Sequence, residues 1–103
     1  MSAEFKYEIF KDRVGDNIYF YGNIDSHTEL HFEELVQRIT GKKVVMDFSN
    51  TVRINSMGIA ILLRSIKNIK TEKRSEVAVF GESKTNALLF KITGLYTLTT
   101  PHL

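Results

Sequence analysis

The sequence has 103 residues, of which 43% are hydrophobic and 25% charged, and its formal net charge is +2 at pH 7. This length and composition are typical of a globular protein, and we expect residues 1–103 to form a single domain. The chain has no cysteine, which excludes disulfides and thiolate chemistry. Basic and acidic residues are interspersed, and the longest apolar run, residues 59–63, is far too short to span a bilayer. We therefore expect a cytoplasmic protein with no nucleic-acid partner and no membrane insertion.

The N-terminal part has the pattern of a β-hairpin. Residues 4–12 alternate between apolar and polar side chains, and residues 18–24 are rich in aromatic and β-branched side chains, so each segment predicts a strand. Gly15, Asp16 and Asn17 lie between the two segments and are typical turn residues. Two antiparallel strands joined at these residues are therefore predicted.

The first helix is predicted from its two ends. Ser26 and Glu29 have the spacing of a capping box, in which the serine oxygen accepts from a backbone N–H and the glutamate reaches back. The helix should therefore begin at Ser26. Apolar residues then recur at helical spacing, and Gly41 is placed to end the helix in a left-handed conformation.

The middle of the chain predicts a buried strand followed by a second helix. Residues 43–48 are apolar on both faces apart from Asp47, which we expect to order the polar loop 49–55 by hydrogen bonding. The helix should run from about Ser56 to Lys70. On a helical wheel the residues predicted to face the core are Ile59, Leu62, Leu63, Ile66 and Ile69. The residues on the opposite side, predicted to be exposed, are Met57, Ala60, Ile61, Arg64 and Asn68.

The C-terminal part adds a strand, a helix and a short last strand. Residues 76–80 predict the strand, Ser83 and Gly94 mark the two ends of the helix, and residues 96–100 predict the last strand. Because helices separate the later strands, those strands should be mutually parallel. We therefore predict an α/β fold in which about three helices pack against a mixed sheet of four to five strands. Functional loops in such sheets gather at the carboxyl ends of the parallel strands, where Ser56 is placed.

Ser56 can be interpreted as a helix cap or as a phosphoacceptor, and both interpretations place its oxygen at the start of the helix. Serine is among the preferred N-cap residues and contributes about 1 kcal/mol there. A phosphate on the same oxygen would lie at the positive end of the helix dipole and would add about two negative charges beside Met57 and Ile61. The capping position would therefore make Ser56 a serviceable phosphoacceptor.

Three segments carry a resemblance to a known family. They are GNIDSHT at residues 22–28, VVMDFSNTVRINSMGIAILL at residues 44–63 and LLFKITGLYTL at residues 88–98. In this order and spacing they resemble the stand-alone STAS domains of the anti-sigma factor antagonist group. The resemblance implies a STAS-like fold and a partner switch, in which the domain binds a partner when one serine is unphosphorylated and releases it when that serine is phosphorylated. The implied partners are a GHKL-type serine kinase that is anti-sigma-factor-like, and a PPM-type serine phosphatase.

The resemblance also assigns residues. It places the phosphoacceptor at Ser56 and a partner-contacting or loop-ordering carboxylate at Asp25, although Asp25 could equally lie just outside a Ser26 cap. The helical wheel adds Met57, Ile61 and Arg64 as the face for a partner, and Asn55 and Gly58 complete the residues predicted to contact it. The family has Asp where this chain has Asn55, and Ser or Thr where it has Met57. Similar domains in several Gram-negative bacteria regulate biofilm and exopolysaccharide production, so either that output or gene expression is expected.

Other functions lack their usual sequence signatures. A hydrolase with Ser56 as nucleophile would need an oriented base, and no G-x-S-x-G motif surrounds Ser56, so an enzyme is not expected. A STAS module that binds a nucleotide or small ligand, or a structural subunit of a signalling complex, stays open, although no G-x-x-x-x-G-K-[ST] loop is present. His27 and His31 have a spacing that could supply half of a metal site. Without further ligands nearby, neither a metal nor another cofactor is expected.

Overall fold

The computed structural model describes residues 4–100 and shows a four-stranded mixed sheet with three α-helices. The elements in chain order are β1 (Lys6–Lys11), β2 (Gly15–Ile24), α1 (Glu29–Arg38), β3 (Lys43–Ile54), α2 (Ser56–Glu72), β4 (Glu76–Phe80) and α3 (Lys84–Thr93). Short 3₁₀ turns, Ser26–Thr28 and Leu95–Thr97, precede α1 and follow α3. The strands lie in sequence order, β1 is antiparallel to β2, and β2, β3 and β4 are parallel. The predicted fold class is therefore confirmed.

A row of phenylalanine rings joins the sheet to its helices. The ring centroid of Phe20 on β2 lies 5.4 Å from that of Phe32 on α1 and 5.1 Å from that of Phe48 on β3. Phe48 in turn lies 5.1 Å from Phe90 on α3. All four side chains are almost fully buried, so α1 and α3 cover the same face of the sheet. None of the helices within residues 4–100 is long and apolar enough to cross a membrane.

The hairpin turn lies earlier than predicted. β2 already begins at Gly15, so Gly15, Asp16 and Asn17 belong to the strand rather than to the turn. Asp12 makes the turn instead, because its Oδ1 accepts from the N–H groups of Val14 at 2.8 Å and of Gly15 at 2.9 Å. The side chain of an aspartate can close a turn by accepting from backbone N–H groups two and three residues later. A turn can therefore form at Asp12 without a glycine at its centre.

Gly41 has a different role from the predicted one. The φ of Gly41 is not positive, and α1 already ends at Arg38, followed by the C-cap Ile39, whose backbone is extended. A Cβ atom at Gly41 would lie 2.4 Å from the Cα of Gly15, so two backbones meet there without room for a side chain. The prediction of a left-handed helix end is wrong because close backbone approach also requires glycine.

β3 is longer than predicted and has no polar loop after it. Segment 49–55 was expected to be a loop, yet β3 continues to Ile54 because β2 pairs with it along its length, with two register shifts. β4 pairs only with Lys43–Asp47, which leaves the second half of β3 largely exposed. Asp47 orders this segment as predicted, since its Oδ1 accepts from the N–H of Ser49 at 2.8 Å.

The buried face of α2 is rotated relative to the predicted one. Ile61 was expected to be exposed but is only 3% exposed, whereas Leu63, expected in the core, is half-buried. The reason is that α2 packs on α1 as well as on the sheet, so its buried arc extends towards α1 and includes Ser65. The remaining predicted core residues of this helix are buried: Ile59, Leu62, Ile66 and Ile69.

The end of the chain confirms two local signals and contradicts one. Ser83 caps α3 by accepting from the backbone N–H three residues on at 3.1 Å, and Gly94 ends the helix with a φ of 82°. The predicted last strand is wrong. The segment instead forms the 3₁₀ turn Leu95–Thr97, followed by a single bridge between Thr100 and Ala78.

Candidate functional site

The start of α2 lies at the carboxyl end of the parallel strands, and Asn55 is its N-cap. The Asn55 Oδ1 accepts from the N–H of Gly58 at 2.8 Å, and the Asn55 carbonyl accepts from the N–H of Ile59 at 2.9 Å. Its backbone is extended, with φ −94° and ψ −176°. Ser56 is therefore the first helical residue, and the prediction that it is the cap is wrong.

Ser56 is exposed at this helix start. No hydrogen bond within residues 4–100 engages its hydroxyl, and the N–H groups of Ser56 and Met57 are likewise without a partner there. Unpaired N–H groups at the first turn carry the positive end of the helix dipole. An anionic group on the Ser56 oxygen would therefore be electrostatically favoured.

Gly58 fixes the start of α2 directly on the end of β2. A Cβ atom at this position would lie 2.0 Å from the carbonyl oxygen of Ile24 and 3.2 Å from the N–H nitrogen of Asp25. In addition, the Asn55 N–H donates to the Ile24 carbonyl at 3.2 Å. Gly58 is thus a buried packing residue. An Asn followed by a Gly three residues later was the sequence signal that could have identified Asn55 as the cap and Gly58 as the packing residue.

Asp25 organises the turn before α1. Its Oδ1 accepts from the N–H of His27 at 2.9 Å, and its carbonyl accepts from the Thr28 hydroxyl at 2.7 Å. It therefore caps the 3₁₀ turn, whereas the predicted capping box at Ser26 is not formed. Asp25 is only partly exposed, and its backbone lies beside the first turn of α2, since a Cβ atom at Gly58 would come within 3.2 Å of the Asp25 nitrogen.

The exposed face of α2 continues from Ser56 along the helix. Met57 is 56% exposed, Ala60 is exposed, and the Arg64 Nη2 donates to Glu29 Oε2 of α1 at 2.6 Å. An ion pair between two half-exposed side chains contributes little to stability, about 0 to 1 kcal/mol. Of the other predicted contact residues, Gly58 and Ile61 are buried and offer almost no surface.

A cleft that sequence reasoning missed adjoins the site. It measures about 390 Å³ and is lined by Glu4, Phe5, Asn23, Asp25, His27, Thr28 and His31. The two histidines share this cleft, but among residues 4–100 no group of three or more His, Asp or Glu side chains is placed to hold a metal. Neither histidine hydrogen-bonds to Ser56 in the part of the chain that the structure describes.

The fold resembles solved structures over nearly the whole chain. An anti-sigma factor antagonist from Mycobacterium paratuberculosis superposes with a TM-score of 0.75 at 18% identity, covering 99% of this chain and 90% of that one. Unphosphorylated SpoIIAA, also an anti-sigma factor antagonist, gives 0.72 at 15% identity, covering 97% and 89%. Phosphorylated SpoIIAA, described as a Bacillus cell fate determinant, gives 0.66 at 15% identity, covering 97% and 92%.

Sequence comparison gives the family. No curated protein sequence matches the chain significantly. The model of the STAS domain family, in contrast, matches residues 12–102, which include the whole region from the hairpin turn through the Ser56 site to α3. Since that match covers most of the sequence and the fold agrees with it, the chain belongs to the STAS domain family.

Proposed function

We propose that this protein is a phospho-switchable regulatory binding protein of the anti-sigma factor antagonist type. It binds a partner when Ser56 is unphosphorylated and releases that partner when Ser56 is phosphorylated. The observation that carries the proposal is the exposed Ser56 hydroxyl at the first position of α2, beside two unpaired N–H groups. The likeness to both a phosphorylated and an unphosphorylated form of one antagonist supports it.

The proposed partners follow from the same switch. A GHKL-type serine kinase that is anti-sigma-factor-like phosphorylates Ser56, and a PPM-type serine phosphatase removes the phosphate. The protein itself binds rather than catalyses and uses no cofactor. Its output is gene expression or biofilm and exopolysaccharide production in a bacterium.

The switch works by changing the charge of the exposed face of α2. In the unphosphorylated state this face offers a neutral hydroxyl, the apolar Met57 side chain and, further along, Arg64. A phosphate adds about two negative charges, which the helix dipole stabilises within the protein. A partner that packs on Met57 would then have to desolvate a dianion, and binding would be lost. The fold itself need not change.

Two substitutions at Ser56 test the proposal. Ser56→Ala removes the phosphoacceptor and should retain the partner in pull-downs from the source bacterium, whereas Ser56→Asp should lose it. Thr85→Asp is the matched control, because Thr85 is also exposed in the first turn of a helix but lies on α3. Equal retention by both Ser56 variants, or phosphate mapped to another residue, would refute the switch.

A further inference from the structure

The charges of this chain are segregated between the two ends of the sheet. Three segments lie at the amino ends of the parallel strands β2, β3 and β4 and include their first residues: residues 11–16, 38–43 and 70–76. They hold eight of the fourteen Lys and Arg residues but only four of the twelve acidic residues. The remaining sequence has six basic and eight acidic residues. The amino end of the sheet therefore carries a net charge of +4, and the rest of the sequence a net charge of −2.

Most of the positive charge at the amino end is uncompensated. Five cationic side chains there have no hydrogen bond or ion pair with any described residue: those of Arg13, Lys42, Lys43, Lys73 and Arg74. Among the acidic residues, Asp16 is buried and binds Lys11 at 2.7 Å, while Asp12 is held by backbone N–H groups of the turn. Asp12, Glu72 and Glu76 stay exposed beside the five cations, and the three segments together keep a net charge of +4, from eight basic and four acidic residues.

The cations form a row that suits a flat anionic surface. The three segments belong to neighbouring strands, which lie about 4.8 Å apart, so all of them reach one plane at the end of the sheet. Val14, 61% exposed, lies in the hairpin turn among them. The segments contain no aromatic side chain, so they offer neither a platform for stacking nucleic-acid bases nor a tyrosine or tryptophan anchor of the kind that dominates protein interfaces.

We propose that the amino end of the sheet adsorbs to the surface of an anionic phospholipid bilayer. The unpaired lysines and arginines contact lipid headgroups, and Val14 enters the headgroup layer without spanning the membrane. Because the site at Ser56 lies at the opposite end of the parallel strands, it faces away from the lipid and stays accessible. The surface does not involve Ser56, so the proposal holds or fails independently of the phospho-switch.

Vesicle sedimentation tests this surface with the full chain. The protein should bind vesicles of phosphatidylcholine mixed with phosphatidylserine, should not bind phosphatidylcholine alone, and should be released by added salt. The double variant Lys42→Gln with Arg74→Gln should weaken the partition coefficient about 25-fold, since each cation near an anionic surface contributes about 1 kcal/mol. The matched control, Lys84→Gln with Lys91→Gln, removes the same charge from α3 and should bind like the unmodified protein.

Three results would overturn the proposal. One is the absence of binding to phosphatidylserine vesicles at low salt. Another is an equal loss in the two double variants, which would show that net charge matters rather than this surface. The third is tighter binding to duplex DNA or to polyglutamate than to the vesicles, which would assign the surface to a different class of polyanion. Circular dichroism confirms that both variants are folded before each comparison.

Discussion

Replacing Gly58 by alanine tests whether the contact between α2 and β2 positions the site. Helix propensity alone favours alanine over glycine by about 1 kcal/mol. The new Cβ would, however, lie 2.0 Å from the carbonyl oxygen and 2.6 Å from the carbonyl carbon of Ile24. These are backbone atoms, so α2 or the end of β2 must move by more than an ångström. Overpacking of this kind costs about 1–3 kcal/mol or more, and we expect Gly58→Ala to destabilise the protein by a net 1–2 kcal/mol or so.

Urea unfolding followed by circular dichroism measures this change. Ala60→Gly is the matched control, because Ala60 is exposed in the same turn region and reports helix propensity without a clash. Ala60→Gly should lower the free energy of unfolding by about 1 kcal/mol. In thermal melts each kcal/mol corresponds to about 4–8 °C for a domain of this size. A Gly58→Ala variant as stable as the unmodified protein, or more stable, would refute the proposed role of the close backbone contact.

Three further predictions concern the cap, the helix face and a buried carboxylate. Asn55→Ala should lower the free energy of unfolding by about 1 kcal/mol, whereas Asn55→Asp should preserve it; the reverse order in urea melts would contradict the cap assignment. Ile61→Ala should cost about 2–5 kcal/mol and Met57→Ala less than about 0.5 kcal/mol, and equal thermal shifts would show that the buried face of α2 is wrongly placed. Burial acts to raise the pKa of Asp16, but hydrogen bonds from Lys11 and two backbone N–H groups outweigh it and hold that pKa below its usual range. The ionised carboxylate therefore stabilises the fold above about pH 4 and loses this effect as the pH falls through the lowered pKa. Asp16→Asn should flatten the acid side of a stability profile against pH, and an unchanged acid side would disprove the assignment.

The elements with strong local signals could be predicted from the sequence. Apolar and polar residues alternate in β1 and β2 because one face of each strand is buried. Ser83 marks the start of α3 by its capping hydrogen bond, and Gly94 marks the end by its left-handed backbone conformation. Such features depend on residues a few positions apart. They need no knowledge of the tertiary structure.

Two cap assignments failed for a shared physical reason. In both Asp25–Ser26 and Asn55–Ser56, two residues able to cap stand side by side, and pattern matching selected the serine. The structure uses the first of each pair, because the extended backbone of the preceding strand continues only to that residue. The neighbouring strands in the sheet determine where a strand ends. The spacing of residues within the following helix cannot predict that position.

The face of α2 and the length of β3 also depend on distant parts of the chain. Ile61 is buried because α1 packs beside α2, and a helical wheel drawn for one helix cannot include that neighbour. Segment 49–54 is polar like a loop, yet β2 provides hydrogen-bond partners that keep it in the sheet. The sequence located the start of α2 at Ser56, where the structure has it, but the contacts that hold this helix start in place required the structure.

The contacts that attach α2 to β2 do not involve the side chains that this end of the molecule presents to solvent. The Ile24 carbonyl binds the N–H of Asn55 and packs against Gly58, so the attachment uses main-chain atoms and a residue that lacks a side chain. The side chains of Ser56 and Met57 take no part in it. A protein engineer could therefore exchange these two residues to present a different chemical group, and the scaffold would deliver that group to the same place in space.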